Sequence, residues 1–87
     1  MSYSLSVAPK ARTSLATLDP WLAEETLDEI ESLLADPHNH GISADGTIAV
    51  YDFVRCIGDK AHYLFLTVRV DIFDEAVELL SVGHFER

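Results

Sequence analysis

The sequence predicts an α+β fold in the order β-α-α-β-β-β, with a helical hairpin covering one face of a single sheet. Apolar residues recur at helical spacing between Lys10 and Ala35. Residues from Thr47 onward instead alternate in the manner of strands, with short turns between the runs. Strands joined by short turns form an antiparallel meander, and helices segregated to one face of such a sheet make an α+β domain. The 87 residues are enough for one domain, spanning 1–87.

The N-terminal half supplies one strand and two helices. Alternating residues predict a strand over Tyr3–Ala8, and a short apolar stripe predicts a helix over Lys10–Leu18. Asp19 is a preferred residue for a helix N-cap, and proline suits the first helical position after it. The second helix is therefore predicted over Pro20–Ala35, with its acidic face in solvent and Asp36-Pro37 as its end.

The C-terminal half supplies the meander. Strands are predicted over Thr47–Ile57, Lys60–Val70 and Val77–Gly83. Asp52 interrupts an apolar face of the first of them, which indicates an edge position or a bulge. Cys56 lies among apolar neighbours and is predicted to be a buried thiol.

Aromatic residues are predicted to line the sheet face that the helices leave open. Tyr51, Phe53, Tyr63 and Phe65 are assigned to this face. An exposed aromatic face with sheet edges favours an added strand or helix from another chain, or a homodimer.

Composition limits the function classes. The net charge of −9 argues against a nucleic-acid binder held by general charge, although Arg55, Lys60 and Arg69 leave a local anion site open. A single cysteine makes no internal disulfide, which fits a reducing cytoplasm. No secretory signal and no membrane span are predicted. His38 and His40 resemble a metal pair only weakly, so no metal and no cofactor are predicted.

Taken in order, these segments resemble the RelE/ParE superfamily of bacterial type II toxins. The likeness covers most of the chain in length, order and spacing. It is carried by the following stretches: Ala8-Pro9-Lys10-Ala11-Arg12 with Leu15 and Leu18, Leu33-Leu34-Ala35-Asp36-Pro37, Tyr51 to Arg55, Ile57-Gly58-Asp59, Tyr63 to Val70, and Val82-Gly83-His84.

The resemblance implies a toxin that cleaves mRNA on the ribosome without a metal and so inhibits translation. It also implies an antitoxin polypeptide that binds the toxin and blocks its site. His84 matches the histidine of the C-terminal Gly-His motif. Arg55 matches a phosphate-binding arginine on the strand before the Gly-Asp turn, and Arg69 is the cation on the next strand. These three are the predicted catalytic residues. The predicted RNA-binding residues are Lys60, His62, Tyr63 and Arg87.

Departures from the family pattern keep two alternatives open. Phe85 follows His84 where ribonuclease members often have tyrosine, and the stretch after the Gly-Asp turn is Lys60-Ala61-His62 where an arginine is common. Most members are basic, whereas this chain is acidic. The alternatives are both non-enzymatic: a ParE-like toxin that inhibits DNA gyrase, or a degenerate member that keeps only antitoxin binding.

Overall fold

Two helices and four strands form in the order that the sequence predicts. The computed structural model describes residues 3–36 and 45–87, with only the backbone described at 45–47. The β-α-α-β-β-β order and the α+β class are confirmed. The elements are β1 (Ser4–Val7), α1 (Pro9–Thr17), α2 (Pro20–Ala35), β2 (Asp45–Ile57), β3 (Lys60–Asp71) and β4 (Ala76–Glu86).

The four strands make one sheet in the order β1-β4-β3-β2. β2, β3 and β4 are antiparallel neighbours, as the predicted meander requires. β1 pairs with β4 in parallel, and the two helices lie in the crossover between them. Gly58 has φ +60° in the tight turn from β2 to β3, a conformation that glycine adopts without a steric cost.

The core lies between the helices and one face of the sheet. Alternate residues of β3 are fully buried, because successive side chains of a strand point to opposite faces. From α2, one residue per turn closes over them, which is the stripe expected of an amphipathic helix. The buried apolar residues are Ala11, Leu22, Ile30, Leu33, Leu64, Leu66, Val68, Val70, Val77, Leu79 and Val82.

The sheet has a register shift in each of two strand pairings, and β2 lies at one of its edges. β2 is an edge strand, so the edge position inferred from Asp52 is confirmed. The register shift within β2 falls between Asp45 and Ile48, away from Asp52. A second shift in the β3–β4 pairing leaves Leu80 as an extra residue, since Thr67 pairs with Ser81 and Val68 with Leu79.

Two predictions about faces are wrong. Cys56 is exposed, because its strand is at the edge and its face carries no helix. The prediction of an open aromatic face is also wrong for two of its four residues. Tyr51 pairs with Leu66 and Phe53 with Leu64, and directly paired residues share a face, so both aromatics lie on the helix side. Only Tyr63 and Phe65 lie on the open face, where both stack with Phe85.

No helix in the described ranges is both long enough and apolar enough to cross a membrane.

Candidate functional site

Polar side chains gather at the end of the sheet where β2 and β4 finish and β3 begins. Arg55 pairs with His62, and His62 pairs with Glu86, so one row across three strands has its side chains on the helix side. His84 and Lys60 share that face by strand alternation. Trp21, in the first turn of α2, completes the group. We refer to these residues as the histidine cluster: Trp21, Arg55, Lys60, His62, His84 and Glu86.

His62 and His84 form a hydrogen bond between side chains. Nδ1 of His62 lies 3.1 Å from Nε2 of His84, and the ring planes differ by 10°. The ring centroids are 5.3 Å apart. This distance is about the nitrogen–nitrogen distance plus one ring radius at each end, which is the value expected when the two centroids and the two nitrogens lie nearly on one line. The rings therefore meet edge to edge in nearly one plane, which is the geometry of a ring N–H donating to a ring nitrogen.

The two histidines differ in burial. Only 6% of His62 is exposed, whereas His84 is exposed at the end of β4. Trp21 packs edge-on against the ring of His62, with centroids 5.1 Å apart and planes at 83°. This contact and the bond to His84 hold the imidazole of His62 in one orientation.

Arg55 is bound to α2. Its Nε lies 3.0 Å from Oε2 of Glu25 and its Nη2 lies 2.6 Å from Oε1 of Glu29. The guanidinium also lies 5.0 Å from the ring centroid of Phe53. Hydrogen bonds to Glu29 and Glu25 raise the pKa of Arg55, so it is charged at any physiological pH.

Tyr51 continues this network, because its hydroxyl donates to Oε2 of Glu29 at 2.8 Å. Burial, followed by that hydrogen bond, raises the pKa of Tyr51 to about 12. A raised pKa in the folded state means that this contribution to stability is complete below the ordinary pKa of about 10 and is lost as pH rises towards 12. The network is therefore intact at neutral pH.

Lys60 and Glu86 form the exposed rim of the cluster. Nζ of Lys60 lies 2.9 Å from Oε1 of Glu86, and both side chains are largely in solvent. The hydrogen bond from Lys60 lowers the pKa of Glu86. Exposed pairs of this kind contribute little to stability, so Lys60 exchanges partners at small cost.

The structure divides the predicted site residues between two faces. His84, Arg55, Lys60 and His62 are brought together in the histidine cluster. Arg69 lies on the open face and pairs with Glu78 at 2.8 Å. Tyr63 is on that face against Phe85, and the backbone of Arg87 pairs with Ala61, which places it with them.

Sequence reasoning missed the residues that α2 contributes. The sequence pattern assigns no role to Trp21 and predicts that Glu25 and Glu29 belong to a solvated face of α2. The spacing of these two glutamates places them on one side of the helix, four residues apart, so they were a detectable pair. Their partner Arg55 became evident only from the strand register.

No group of three metal-binding side chains occurs in residues 3–36 and 45–87, and the His38 and His40 pair lies outside them. A cavity of about 390 Å³ lies on the open face, where Ser6, Arg69, Asp71, Ala76 and Glu78 line it. Its arginine is paired with Glu78, and it holds no member of the histidine cluster. Among the described residues, the histidine cluster therefore brings two hydrogen-bonded imidazoles together with two cations.

Neither the protein-family models nor the curated proteins include a match to this chain. Solved structures do match along nearly its whole length. The chain superimposes on a chain of the intact RelBE toxin–antitoxin complex of E. coli with a TM-score of 0.71 and 20% identity, covering 99% of this chain and 100% of that chain.

Two further structures agree. The isolated RelE toxin of E. coli gives a TM-score of 0.70 at 20% identity, with 99% of this chain and 87% of that chain covered. The RelBE2 toxin–antitoxin complex of Mycobacterium tuberculosis gives 0.65 at 20% identity, with 98% and 100% covered. The chain therefore has the fold of the RelE toxins.

Proposed function

We propose that this chain is the toxin of a type II toxin–antitoxin pair and that it cleaves mRNA on the ribosome without a metal. The observation that supports this most is the hydrogen-bonded His62–His84 pair beside Arg55 and Lys60, on one rim of a RelE-type sheet. Imidazole exchanges protons near neutral pH, and cations stabilise the charge that gathers on phosphate oxygens in the transition state.

In the proposed reaction the ribose 2′-oxygen attacks the adjacent phosphorus. The bond from the 2′-oxygen to phosphorus forms while the bond to the 5′-oxygen breaks, which leaves a 2′,3′-cyclic phosphate and a free 5′-hydroxyl. One imidazole nitrogen takes the 2′-hydroxyl proton, and another imidazole N–H protonates the leaving oxygen. His84, the exposed member of the pair, contacts the RNA directly.

In the proposed complex, the RNA phosphate takes the place of the carboxylates that pair with Arg55 and Lys60 in the structure. Lys60 turns from Glu86 to a phosphate oxygen at small cost, since both side chains are exposed. Arg55 turns from Glu25 and Glu29 at a larger cost, because three hydrogen bonds link these side chains and Tyr51 there. The acidic surroundings therefore weaken RNA binding without removing the cations.

The test is tightly controlled expression in bacteria. Arrest of growth with loss of mRNA is expected, followed in vitro by cleavage of ribosome-bound mRNA that continues in excess EDTA. Phe73→Ala is a suitable control for expression and folding, because Phe73 is 96% exposed and lies at the far end of the sheet. Arrest without mRNA loss, or cleavage abolished by EDTA, would contradict the proposal.

One observation favours a binding function instead. In the described sheet, the cations of Arg55, Lys60 and Arg69 are all paired with carboxylates. A ParE-like inhibitor of DNA gyrase, or a member that keeps only antitoxin binding, needs none of them free. Gyrase supercoiling measured with and without the protein separates the first of these from a ribonuclease. Tight antitoxin binding with neither activity would identify the second.

The antitoxin is proposed to cover part of the open face. Val50 and Val54 are exposed there on the edge strand β2, on either side of Asp52, and Phe85 is exposed on the same face of β4. An unpaired strand edge with exposed apolar side chains favours strand addition. Val54→Glu should weaken binding of the polypeptide encoded beside this chain at least tenfold, about 1.4 kcal/mol, measured by calorimetry. Glu31→Lys, on the outer face of α2, is the control. Equal affinities for both variants would place the antitoxin elsewhere.

The glutamates of α2 are expected to restrain RNA binding. Glu25→Gln with Glu29→Gln should release Arg55 and tighten binding roughly twofold to thirtyfold, the range that two ion pairs of about 0.2–1 kcal/mol allow. Fluorescence anisotropy with a 2′-O-methyl oligoribonucleotide measures affinity without cleavage. Glu24→Gln with Glu31→Gln removes the same charge from the exposed side of the helix. A similar gain in that control would mean that net charge, and not Arg55, is responsible.

A further inference from the structure

We propose that His62 and His84 form one acid–base unit, in which the hydrogen bond between the rings makes one ring the base and the other the acid. This deepens the proposed ribonuclease function and rests on it. The evidence is the distance of 3.1 Å between Nδ1 of His62 and Nε2 of His84 and the near coplanarity of the rings.

The tautomers of the two rings are linked by this bond. A neutral imidazole has one N–H and one acceptor nitrogen. If Nδ1 of His62 donates, Nε2 of His84 accepts, and the N–H of His84 is on its Nδ1. If Nε2 of His84 donates, Nδ1 of His62 accepts, and the N–H of His62 is on its Nε2. Both rings are therefore Nδ1–H or both are Nε2–H.

In either state, one outward nitrogen is an acceptor and the other carries a proton. The outward nitrogens are Nε2 of His62 and Nδ1 of His84. Nδ1 of His84 belongs to an exposed residue, and Nε2 of His62 belongs to a residue that is 6% exposed. The pair thus offers a base at one end and an acid at the other while remaining neutral overall.

Proton transfer along the pair is balanced. When Nδ1 of His62 is the donor, Nε2 of His62 takes the 2′-hydroxyl proton. The proton between the rings then moves to Nε2 of His84, and Nδ1 of His84 gives its own proton to the leaving 5′-oxygen. One proton enters, one leaves, and both rings end as the Nε2–H tautomer. Hydrolysis of the cyclic phosphate, with water supplying the proton at the His84 end, returns the pair to its first state.

Surrounding groups fit a neutral pair. Arg55 and Glu86 lie on either side of His62 in the strand register, and Lys60 balances Glu86. Trp21 fixes the buried ring from the helix side. Two protonated rings would place N–H groups against each other at 3.1 Å and break the bond, so the unit holds at most one added proton while it persists.

The experiment combines nuclear magnetic resonance with kinetics on the full chain. In ¹⁵N-labelled protein we expect scalar coupling between the two ring nitrogens across the hydrogen bond, and the same tautomer on both rings. His84→Ala removes the coupling while backbone amide dispersion reports the fold. Absence of the coupling, or different tautomers on the two rings, would overturn the inference whether or not RNA is cleaved.

The kinetic part uses a double-mutant cycle. His62→Ala and His84→Ala should each slow cleavage about 10²- to 10⁴-fold, and the double variant should be no more than a few-fold slower than the slower of the two single variants. Two histidines that act on cleavage independently of each other would give effects that multiply. Multiplying effects would overturn the unit and leave the ribonuclease proposal standing. A wild-type protein that cleaves no RNA would overturn the proposed function and with it the catalytic use of the pair. The scalar coupling would still report, independently of cleavage, whether the hydrogen bond between the two rings exists.

Discussion

His84→Ala should slow RNA cleavage by this chain about 10²- to 10⁴-fold, the range that general acid–base groups contribute. Growth arrest on expression should be relieved in parallel. The change removes the exposed ring of the histidine pair, including the Nδ1 that is proposed to contact the leaving oxygen. Single-turnover cleavage of a defined oligoribonucleotide measures the loss directly, because product release does not limit it.

Folding does not account for this expected loss. His84 is exposed at the end of β4, but its ring is the hydrogen-bond partner of Nδ1 of the buried His62, so His84→Ala is expected to cost about 1–3 kcal/mol of stability. Thermal unfolding of His84→Ala should therefore show a lower midpoint than wild type but a chain that is still folded at the assay temperature. Phe85→Leu, at the next residue on the opposite face, serves as a matched variant that spares the cluster. Cleavage within threefold of wild type by His84→Ala would remove this residue from the chemistry.

The order of elements follows from local signals in the sequence. Pro20 after Asp19 and the apolar spacing that follows fix α2 at Pro20–Ala35, as the structure has it. Even so, the side chain of Asp19 makes no capping hydrogen bond, so the position of the cap is predictable where its contact is not. Helix boundaries and strand alternation depend on residues that are near neighbours in the chain, so a single sequence is enough to predict them.

Faces and partners depend on register, which one sequence does not contain. Tyr51 and Phe53 were correctly predicted to share a face, because alternation within one strand decides that, and Arg55 lies on the same face. Whether this face is the same as that of Tyr63 depends on which residues pair across the turn at Gly58. Arg55 pairs with His62, so Arg55 and Tyr63 point to opposite faces. A shift of one residue would reverse the assignment.

The candidate site shows the same division. His84 and Lys60 are on the helix side with His62, and Arg69 is not, although all four were predicted to act on RNA. The hydrogen bond between two histidines that are 22 positions apart has no local sequence signal. Likewise, the apolar neighbours of Cys56 suggested burial, yet only the edge position of β2 decides that its side chain is exposed.

Leu66→Ala is expected to destabilise the fold strongly. Leu66 is fully buried in the inner strand β3, between Tyr51 and Val82 in the strand register. Truncation of a buried leucine costs about 2–5 kcal/mol, because apolar contact is lost and a cavity remains. At roughly 0.05–0.15 kcal/mol per residue, the free energy of unfolding of this chain is only about 4–13 kcal/mol.

The midpoint of thermal unfolding should therefore fall by roughly 8–40 °C, since 1 kcal/mol corresponds to about 4–8 °C in a domain of this size. Val50→Ala is the control, because Val50 is also in the sheet but is 63% exposed, and we expect a change of about 0.5 kcal/mol or less. A bound antitoxin would hide the loss, as binding to the folded state adds stability, so the toxin chain is measured alone. A shift in Leu66→Ala no larger than that in Val50→Ala would mean that the helices do not close over this strand.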